Sequence, residues 1–286
     1  MPTVPVRDVV ARVKAVLTLT YGEWRTHRTI RLGAAVAYYS LFAAVPVLVL
    51  TVIFAGIFVS REDVQIYLTD QISRIFGTDG SEVATALATT FDELDPATGL
   101  GLVGVGSLVL AATLVVVALQ DAFNTIWELP VRSGLRVSIA RRVFAFLVVL
   151  GFGAVIVLSL ALNAVTSLLE GLVPDVPVLR SLSEVVGLAG AWALGIGAVT
   201  LLFRYVTTVR VPWRAAIIGG TVTALLIAGG TVLIGAYLRR YGASSVAGAA
   251  GAVLLVLVWL YYEAQILLAG AEFTRVLCDR SVGSGR

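Results

Sequence analysis

Two glutamates near the C-terminal end of the sequence are the residues best placed to carry chemistry, because they stand in apolar surroundings. Glu263 lies inside a hydrophobic block at 246–271, and Glu272 follows that block directly. A carboxylate at the centre of a membrane helix costs about 2.5–3.5 kcal/mol, so Glu263 must face protein or water. Burial raises the pKa of a carboxyl group, so Glu263, or Asp121 at a similar depth, can change its protonation state, which is the chemistry of a proton-linked site.

Polar residues of two other hydrophobic blocks are expected at the same depth as these glutamates. We predict that they form a polar cavity in the cytoplasmic half of a membrane, where the first, second and last membrane spans meet. A polar group left alone in hydrocarbon is too costly to stay unpaired, which favours such convergence. The predicted members are Tyr38, Tyr39, Gln120, Asp121, Asn124, Glu263, Gln265 and Glu272.

Hydrogen bonding between helices is the alternative explanation of these polar residues. Such bonds hold a helix bundle together and contribute only about 0.6 kcal/mol per pair on average. Pro46, near the middle of the first hydrophobic block, is expected to kink its helix because it cannot donate to the carbonyl four residues earlier. The kink would open a gap beside the cluster or serve packing alone, and the sequence leaves both readings open.

The sequence lacks the patterns of soluble catalytic and metal sites. His27 and Cys278 are its only histidine and cysteine, which excludes a CxxC site and any triad or metal site that needs a second histidine. GxSxG, P-loop and HExxH patterns do not occur. We therefore expect no catalytic residues, no metal and no cofactor.

The elements that must position the polar residues are helices that span a membrane. The chain of 286 residues is 58% hydrophobic and only 14% charged, whereas soluble domains carry about 25% charged residues. Each of six apolar blocks can cross a hydrocarbon core of about 30 Å, and only helices satisfy the backbone there for runs of this kind. We predict an all-α fold, a polytopic transmembrane helix bundle with about six spans. The blocks are 33–59, 99–119, 143–169, 185–203, 215–238 and 246–271.

Positively charged residues predict the orientation of this bundle in the plasma membrane. The predicted topology puts sixteen of the 21 lysines and arginines on one side, which places both termini in the cytoplasm by the positive-inside rule. We expect a cytoplasmic amphipathic segment at 1–32, a six-span membrane domain at 33–277 and a cytoplasmic tail at 278–286. The first block is too long for the core of a signal peptide, so it should remain as a span.

Two stretches outside the blocks show the period of amphipathic helices. In the N-terminal stretch, Val9, Val13 and Val16 lie on one face, which indicates a helix that rests on the anionic leaflet or packs on the bundle. In the extracytoplasmic loop 60–98, two apolar stripes are separated by Gly77 and Gly80. We predict two short helices there that cover the outer face.

Four segments of the chain, in order, resemble the YihY/BrkB family of bacterial inner-membrane proteins. Ala35–Pro46 is similar to the signature of its first span, and Gln120–Trp127 to the end of its second span. Val211–Arg214 resembles the entry to its fifth span, and Trp259–Phe273 its last span. The resemblance extends from about residue 20 to 277 and implies a membrane protein of the bacterial envelope.

One position departs from the pattern that the resemblance implies. Family members more often have a small residue at the position of Glu263. The resemblance therefore makes Asp121, Gln265 and Glu272 stronger candidates than Glu263 for a functional role shared by the family.

The group also has an old ribonuclease label. Hydrolysis of RNA needs metal-binding carboxylates or histidines at a basic, water-exposed site, and this sequence cannot assemble one. Its basic residues are scattered between hydrophobic blocks, so we expect no nucleic acid partner.

Three functions stay open on the sequence alone. The first is a transporter, exporter or lipid-handling protein with a polar cavity in the cytoplasmic half, whose substrate is a lipid or a small solute. The second is a structural or scaffolding membrane protein of the envelope, in which the polar cluster serves packing. The third is an intramembrane enzyme, which would need a nucleophile and a base within hydrogen-bond reach, and no pair stands out. The oligomeric state does not follow from the sequence.

Overall fold

The computed structural model is built from helices in the part of the chain that it describes. This part comprises residues 6–55, 66, 99–129, 139–165 with gaps, 177–207, 209, 211–245 and 249–283. The helices with defined bounds are α1 (Val6–Thr26), α2 (Thr29–Ala55), α3 (Gly99–Ile126), α4 (Pro177–Tyr205), α5 (Trp213–Ser245) and α6 (Ala249–Gly283). The described residues of 139–165 are also helical. The predicted all-α class is confirmed.

Four of these helices contain stretches long and apolar enough to cross a membrane, counted over the described residues. They are Val109–Ile126 in α3, Leu188–Tyr205 in α4, Trp213–Leu233 in α5 and Val256–Asp279 in α6. α2 covers most of the first predicted block, and the 139–165 segment covers part of the third. The helical pair predicted in 60–98 lies outside the described residues, except for Ile66, so the number of six spans stays a prediction.

α6 is the helix on which the others converge. It packs against α1, α2, α3 and α5, while α2 also packs on α3, and α4 on α5. The core at this junction is built around Phe123 of α3 and Phe203 of α4, whose ring centroids lie 5.8 Å apart. Leu268 of α6 is fully buried in the same core. This packing brings the polar ends of α1, α3 and α6 together.

α5 and α6 approach closely because a glycine on each helix faces a threonine on the other. Gly219 faces Thr274, and Gly270 faces Thr223, so that a Cβ atom added to either glycine would overlap the threonine hydroxyl. Each hydroxyl donates to the carbonyl of the glycine one turn earlier on its own helix, at 2.7 Å. Small residues of this kind let membrane helices pack tightly.

α1 presents apolar residues on two sides. It packs on α6 and α2, and Val16 is buried there. Val13, Leu17 and Tyr21 follow one another at four-residue spacing and are all more than half exposed. The helix therefore packs on the bundle, which is one of the two predicted arrangements. It also keeps an exposed apolar stripe, which the other arrangement, a helix that rests on the membrane surface, requires.

Candidate functional site

A polar cluster with a buried centre and exposed acids at its edge lies where α1 ends, α2 begins, α3 ends and α6 passes. We call it the Glu272 network. Its members are Glu23, His27, Thr29, Glu128, Glu272 and Arg275.

The backbone at the turn between α1 and α2 delivers His27 to this network. The amide of His27 donates to the carbonyl of Glu23 at 2.9 Å, and that of Arg28 donates to Arg25 at 3.1 Å. Arg28 then takes a left-handed conformation with φ 52°, which ends the helix and turns the chain into α2. The imidazole is thereby held under the bundle with only 7% of its side chain exposed.

Glu128 reaches the network from the end of α3 through a Schellman turn. The amide of Leu129 donates to the carbonyl of Asn124 at 2.9 Å, and the amide of Glu128 donates to Thr125 at 3.0 Å. This pattern requires a left-handed residue after the helix, and Glu128 takes that role with φ 50°. Glycine is the usual residue at this position, so a glutamate there points to a role for its side chain.

Glu272 is the buried centre of the network. Its side chain is fully buried. One carboxylate oxygen, Oε1, accepts from the Nδ1 of His27 at 2.9 Å and from the hydroxyl of Thr29 at 3.1 Å. The other oxygen, Oε2, is buried and has no hydrogen-bond partner among the described residues. A carboxyl oxygen has two lone pairs, so Oε1 can accept from both donors at once.

Arg275, one turn after Glu272 on α6, supplies the positive charge. Its guanidinium donates to Glu128 at 2.7 Å, to the Nε2 of His27 at 3.1 Å and to the carbonyl of Ile126. Glu23 lies 3.8 Å away. The arginine thus bridges the ends of α1 and α3, and the fork shape of its donors suits such a role.

These contacts indicate the tautomer of His27. An arginine can only donate, so the Nε2 of His27 accepts and its Nδ1 carries the hydrogen that Glu272 receives. A second arrangement is also within reach, because Nε2 lies 3.4 Å from a carboxylate oxygen of Glu128. A doubly protonated imidazole would donate to Glu128 and Glu272 and would repel Arg275.

Glu128 is an acid of this network that lies outside the candidate spans. The hydrogen bond from Arg275 is the largest cause that lowers the pKa of Glu128 below the ordinary value of 4.5, and the positive charge of Arg275 acts in the same direction. Glu128 therefore stays ionised and keeps its charge available to Arg275 at neutral pH.

Three side chains of the network have the spacing of metal ligands. The oxygens of Glu23 and Glu128 and a ring nitrogen of His27 lie within 4.8 Å of one another. Arg275 contacts all three groups. Because the guanidinium already occupies the space between them, a cation could enter only if Arg275 moved away.

Two predicted cavity residues make well-defined contacts between helices. Gln265 of α6 packs over Gly33 of α2 and donates to the carbonyl of Ile30 at 3.2 Å. The hydroxyl of Thr231 on α5 lies 3.1 Å from the Oε1 of Glu263. Gln265 thus turns towards α2 and Glu263 towards α5. The two side chains face different neighbours.

The other predicted cavity residues differ in exposure. Tyr38 and Tyr39 of α2 are exposed, and their rings lie edge to face. On α3, Gln120 is buried, Asn124 is partly buried and Asp121 is exposed. A single cavity shared by all these residues stays a prediction. Pro46, the other residue of interest, is buried inside α2, which is helical on both sides of it, and the kink stays a prediction too.

Three charged members of the network do not stand out in the sequence as a group. His27 is isolated in the sequence, Glu128 looks like an ordinary residue after a helix, and Arg275 like one of many topology signals. The spacing of Glu272 and Arg275 is the signal that could have found the cluster, because residues three apart on a helix are neighbours.

A second feature is an apolar groove of about 230 Å³ between the 139–165 segment and α4. One wall includes Leu147, Gly151 and Val155, and the other includes Leu201 and Tyr205. Tyr205 ends both α4 and its candidate span, so the groove reaches the border of the apolar stretch. There, the guanidinium of Arg204 lies 4.2 Å from the ring centroid of Trp213.

Comparison with known proteins identifies similar membrane proteins. The family model for virulence factor BrkB matches residues 20–286. A UPF0761 membrane protein of Teredinibacter turnerae is 30% identical over 286 residues, which cover 98% of this chain and 63% of the relative. Another, of Azotobacter vinelandii, is 32% identical over 254 residues, which cover 87% of this chain and 59% of the relative. A third, of Pseudomonas aeruginosa, is 31% identical over 247 residues, with 84% and 57% covered.

The chain spans about six tenths of the length of the curated relatives that it matches. No solved structure matches it.

Proposed function

This chain belongs to the BrkB family of membrane proteins, and from that premise we propose that it is a plasma-membrane protein that handles lipids or transports amphipathic solutes. In the proposed orientation both termini are cytoplasmic. The Glu272 network fits this topology, because it joins positions 27, 128 and 275, which the charge pattern puts on the cytoplasmic side.

The apolar groove is the observation that carries this proposal. Its walls are apolar, and Leu147 and Leu201 are about half exposed along it. In a bilayer such a surface meets hydrocarbon, so the occupant is an acyl chain. Pockets for whole drug-sized ligands have volumes of about 300–1,000 Å³, and the groove is smaller at about 230 Å³, which suits one chain of a lipid.

Charge at the end of the groove supports an anionic headgroup for this lipid. Arg204 adjoins Tyr205, which lines the groove, and its guanidinium stacks on Trp213. Tyrosine and tryptophan favour the membrane–water interface. An acyl chain in the groove would therefore place its phosphate at the depth of Arg204.

Native mass spectrometry of the purified protein tests the groove. Gly151 lines it, and a side chain added at Gly151 meets open space, so Gly151→Phe should fill the groove without a clash. Gly229 of α5 is also exposed and open, and Gly229→Phe is the matched control. We expect fewer co-purifying lipids with Gly151→Phe alone. Equal lipid content in both variants would refute the groove as the binding site.

A structural role in the envelope is the second candidate, and the Glu272 network favours it. The network ties the ends of α1 and α3 to α6 by ion pairs and hydrogen bonds, as a scaffold requires. The two candidates separate in a cellular complementation assay. A folded Gly151→Phe protein that restores full function would favour the scaffold, whereas loss of function would favour lipid handling.

We propose no enzymatic step for this chain. Among the described residues, the single group of acids and histidine with metal-ligand spacing is Glu23, His27 and Glu128. Arg275 fills it.

A further inference from the structure

Glu263 and Thr231 meet between two candidate membrane spans. Glu263 lies within Val256–Asp279 of α6, and Thr231 within Trp213–Leu233 of α5. The threonine hydroxyl and the Oε1 of Glu263 are 3.1 Å apart, and both residues are partly buried. The ring of Tyr262 packs against Gly230 beside them, so the carboxyl group lies at a close contact of the two helices.

The count of hydrogens at this contact indicates which group donates. The hydroxyl of Thr231 is also 2.9 Å from the carbonyl of Ile227 on its own helix. A hydroxyl has one hydrogen, so it can serve both oxygens only by sharing that hydrogen in a weaker three-centre bond. If Glu263 were a carboxylate, the two acceptors would share the single hydrogen in this way. If Glu263 is protonated, it donates to Thr231, which donates to Ile227, and both contacts are hydrogen bonds.

The charges around α6 agree with a neutral Glu263. Among the described residues, Thr231 is the hydrogen-bond partner of Glu263, and no cation forms an ion pair with it. The charged groups that α1 and α3 turn towards α6 are Glu23, His27 and Glu128, and these meet it at Glu272 and Arg275. α2 meets it at Gln265 through neutral groups.

The two glutamates of α6 thus stand in opposite surroundings. Glu272 accepts two hydrogen bonds near an arginine, which suits a carboxylate. Glu263 has one neutral partner at membrane depth, and a single hydroxyl contact recovers little of the cost of a charge in hydrocarbon.

We infer that Glu263 is a proton-binding site inside the membrane domain, which donates to Thr231 in its protonated form. Loss of the proton would put a charge between α5 and α6 and weaken their contact. Proton binding can therefore bias the packing of these two helices. The inference rests on the α5–α6 contact alone and does not depend on the apolar groove.

Reaction with dicyclohexylcarbodiimide tests the proton directly. This apolar reagent adds the O–H of a protonated carboxyl group across one of its C=N bonds, and the adduct rearranges to a stable N-acylurea. We expect mass spectrometry of the full-length protein in liposomes to find the label on Glu263 at neutral pH and to find it decrease as the pH rises. Glu263→Gln serves as the control and should abolish this label.

Two results would overturn the inference. In the first, Glu263 is unlabelled at neutral pH but becomes labelled at low pH, which would show that it is a carboxylate at neutral pH. The second is protection by sodium chloride but not by choline chloride at equal ionic strength, which would assign the site to a metal cation.

Infrared spectroscopy gives an independent measurement with matched variants. The carbonyl stretch of a protonated carboxyl group should be present in the wild type and absent in Glu263→Gln, whose amide keeps the shape and can still bond to Thr231. The band should shift upward in Thr231→Val and stay in place in Thr231→Ser. If none of the three substitutions alters this carbonyl band, Glu263 is not the protonated carboxyl group, and the inference is wrong. Should Glu263→Gln fail to fold, the labelling of the wild type decides the question.

Discussion

At the scale of single residues, the backbone of Glu128 and its side chain have opposing effects on stability. The left-handed conformation costs a residue with a Cβ atom about 1–2 kcal/mol. The side chain, in return, accepts from Arg275 at 2.7 Å. The position therefore keeps a glutamate where glycine would suit the backbone better.

Replacement of Glu128 by alanine and by glycine separates these two effects. Both variants lose the ion pair with Arg275, but only glycine relieves the left-handed strain at φ 50°. We expect Glu128→Gly to be more stable than Glu128→Ala by about 1 kcal/mol. Thermal unfolding in detergent measures the difference, and equal stabilities would show that the turn is not strained.

The lowered pKa of Glu128 predicts a dependence of stability on pH. Because the folded-state pKa lies below the ordinary value of 4.5, the contribution of the ion pair is present above about pH 4.5 and is lost as the pH falls through the folded-state pKa. We expect wild type to be more stable than Glu128→Gln at pH 7 and the difference to shrink below pH 4.5. High salt should also reduce it, because Glu128 is exposed. A difference that is the same at pH 7 and pH 3 would contradict the ion pair.

Some residues of the Glu272 network could be predicted from the sequence, and others could not. Glu272 stands out because an acid at the end of an apolar block is unusual, and it is indeed buried. His27 does not stand out, because its partner lies 245 residues away and only the packing of α1 on α6 joins them. The unpaired oxygen of Glu272 likewise depends on tertiary structure, so no local pattern predicts it.

At the scale of helices, the facing glycine and threonine pairs set the distance between α5 and α6. We expect Gly270→Val to destabilise the protein by about 1–3 kcal/mol, because its side chain would overlap Thr223. Gly106→Val in α3 is the control, since a Cβ atom there meets nothing within 4 Å. Thermal unfolding of both variants checks this. A loss of the same size in both would mean that helix propensity, and not the contact, is responsible.

The ends of the helices are not predicted by hydropathy. The predicted blocks end at residues 119 and 271, yet α3 continues to Ile126 and α6 to Gly283. Hydropathy marks the stretch that meets lipid, whereas backbone hydrogen bonds continue a helix into water or into a polar cluster. The extra turns carry Glu272 and Arg275, so the polar ends are the parts that the apolar pattern alone misses.

At the scale of the whole molecule, the topology is the prediction to check first. The Lys/Arg asymmetry predicts that both termini are cytoplasmic. We expect a reporter fused after Arg286 to be inactive if it requires the extracytoplasmic space, and a cytoplasmic reporter at the same position to be active. The opposite pair of results would invert the topology and would put the Glu272 network on the outer side.

The sequence predicts the membrane class and the family but not the groove. Apolar blocks and ordered motifs suffice for the first two, because they depend on local composition. The walls of the groove, by contrast, are made of residues such as Leu147 and Val155, which are the same types that face lipid elsewhere. Only the relative placement of the 139–165 segment and α4 distinguishes them.

The pairing of His27 with Glu272 also has a consequence for biosynthesis. These residues are 245 positions apart, so a ribosome that adds about 5–20 residues per second makes the second one roughly 12–50 s after the first. During that interval the turn after α1 holds a histidine without its acid, and Arg275 has not yet been made. Insertion of the last helix completes the network, so a nascent chain that stops before α6 would leave His27 without Glu272 and Arg275.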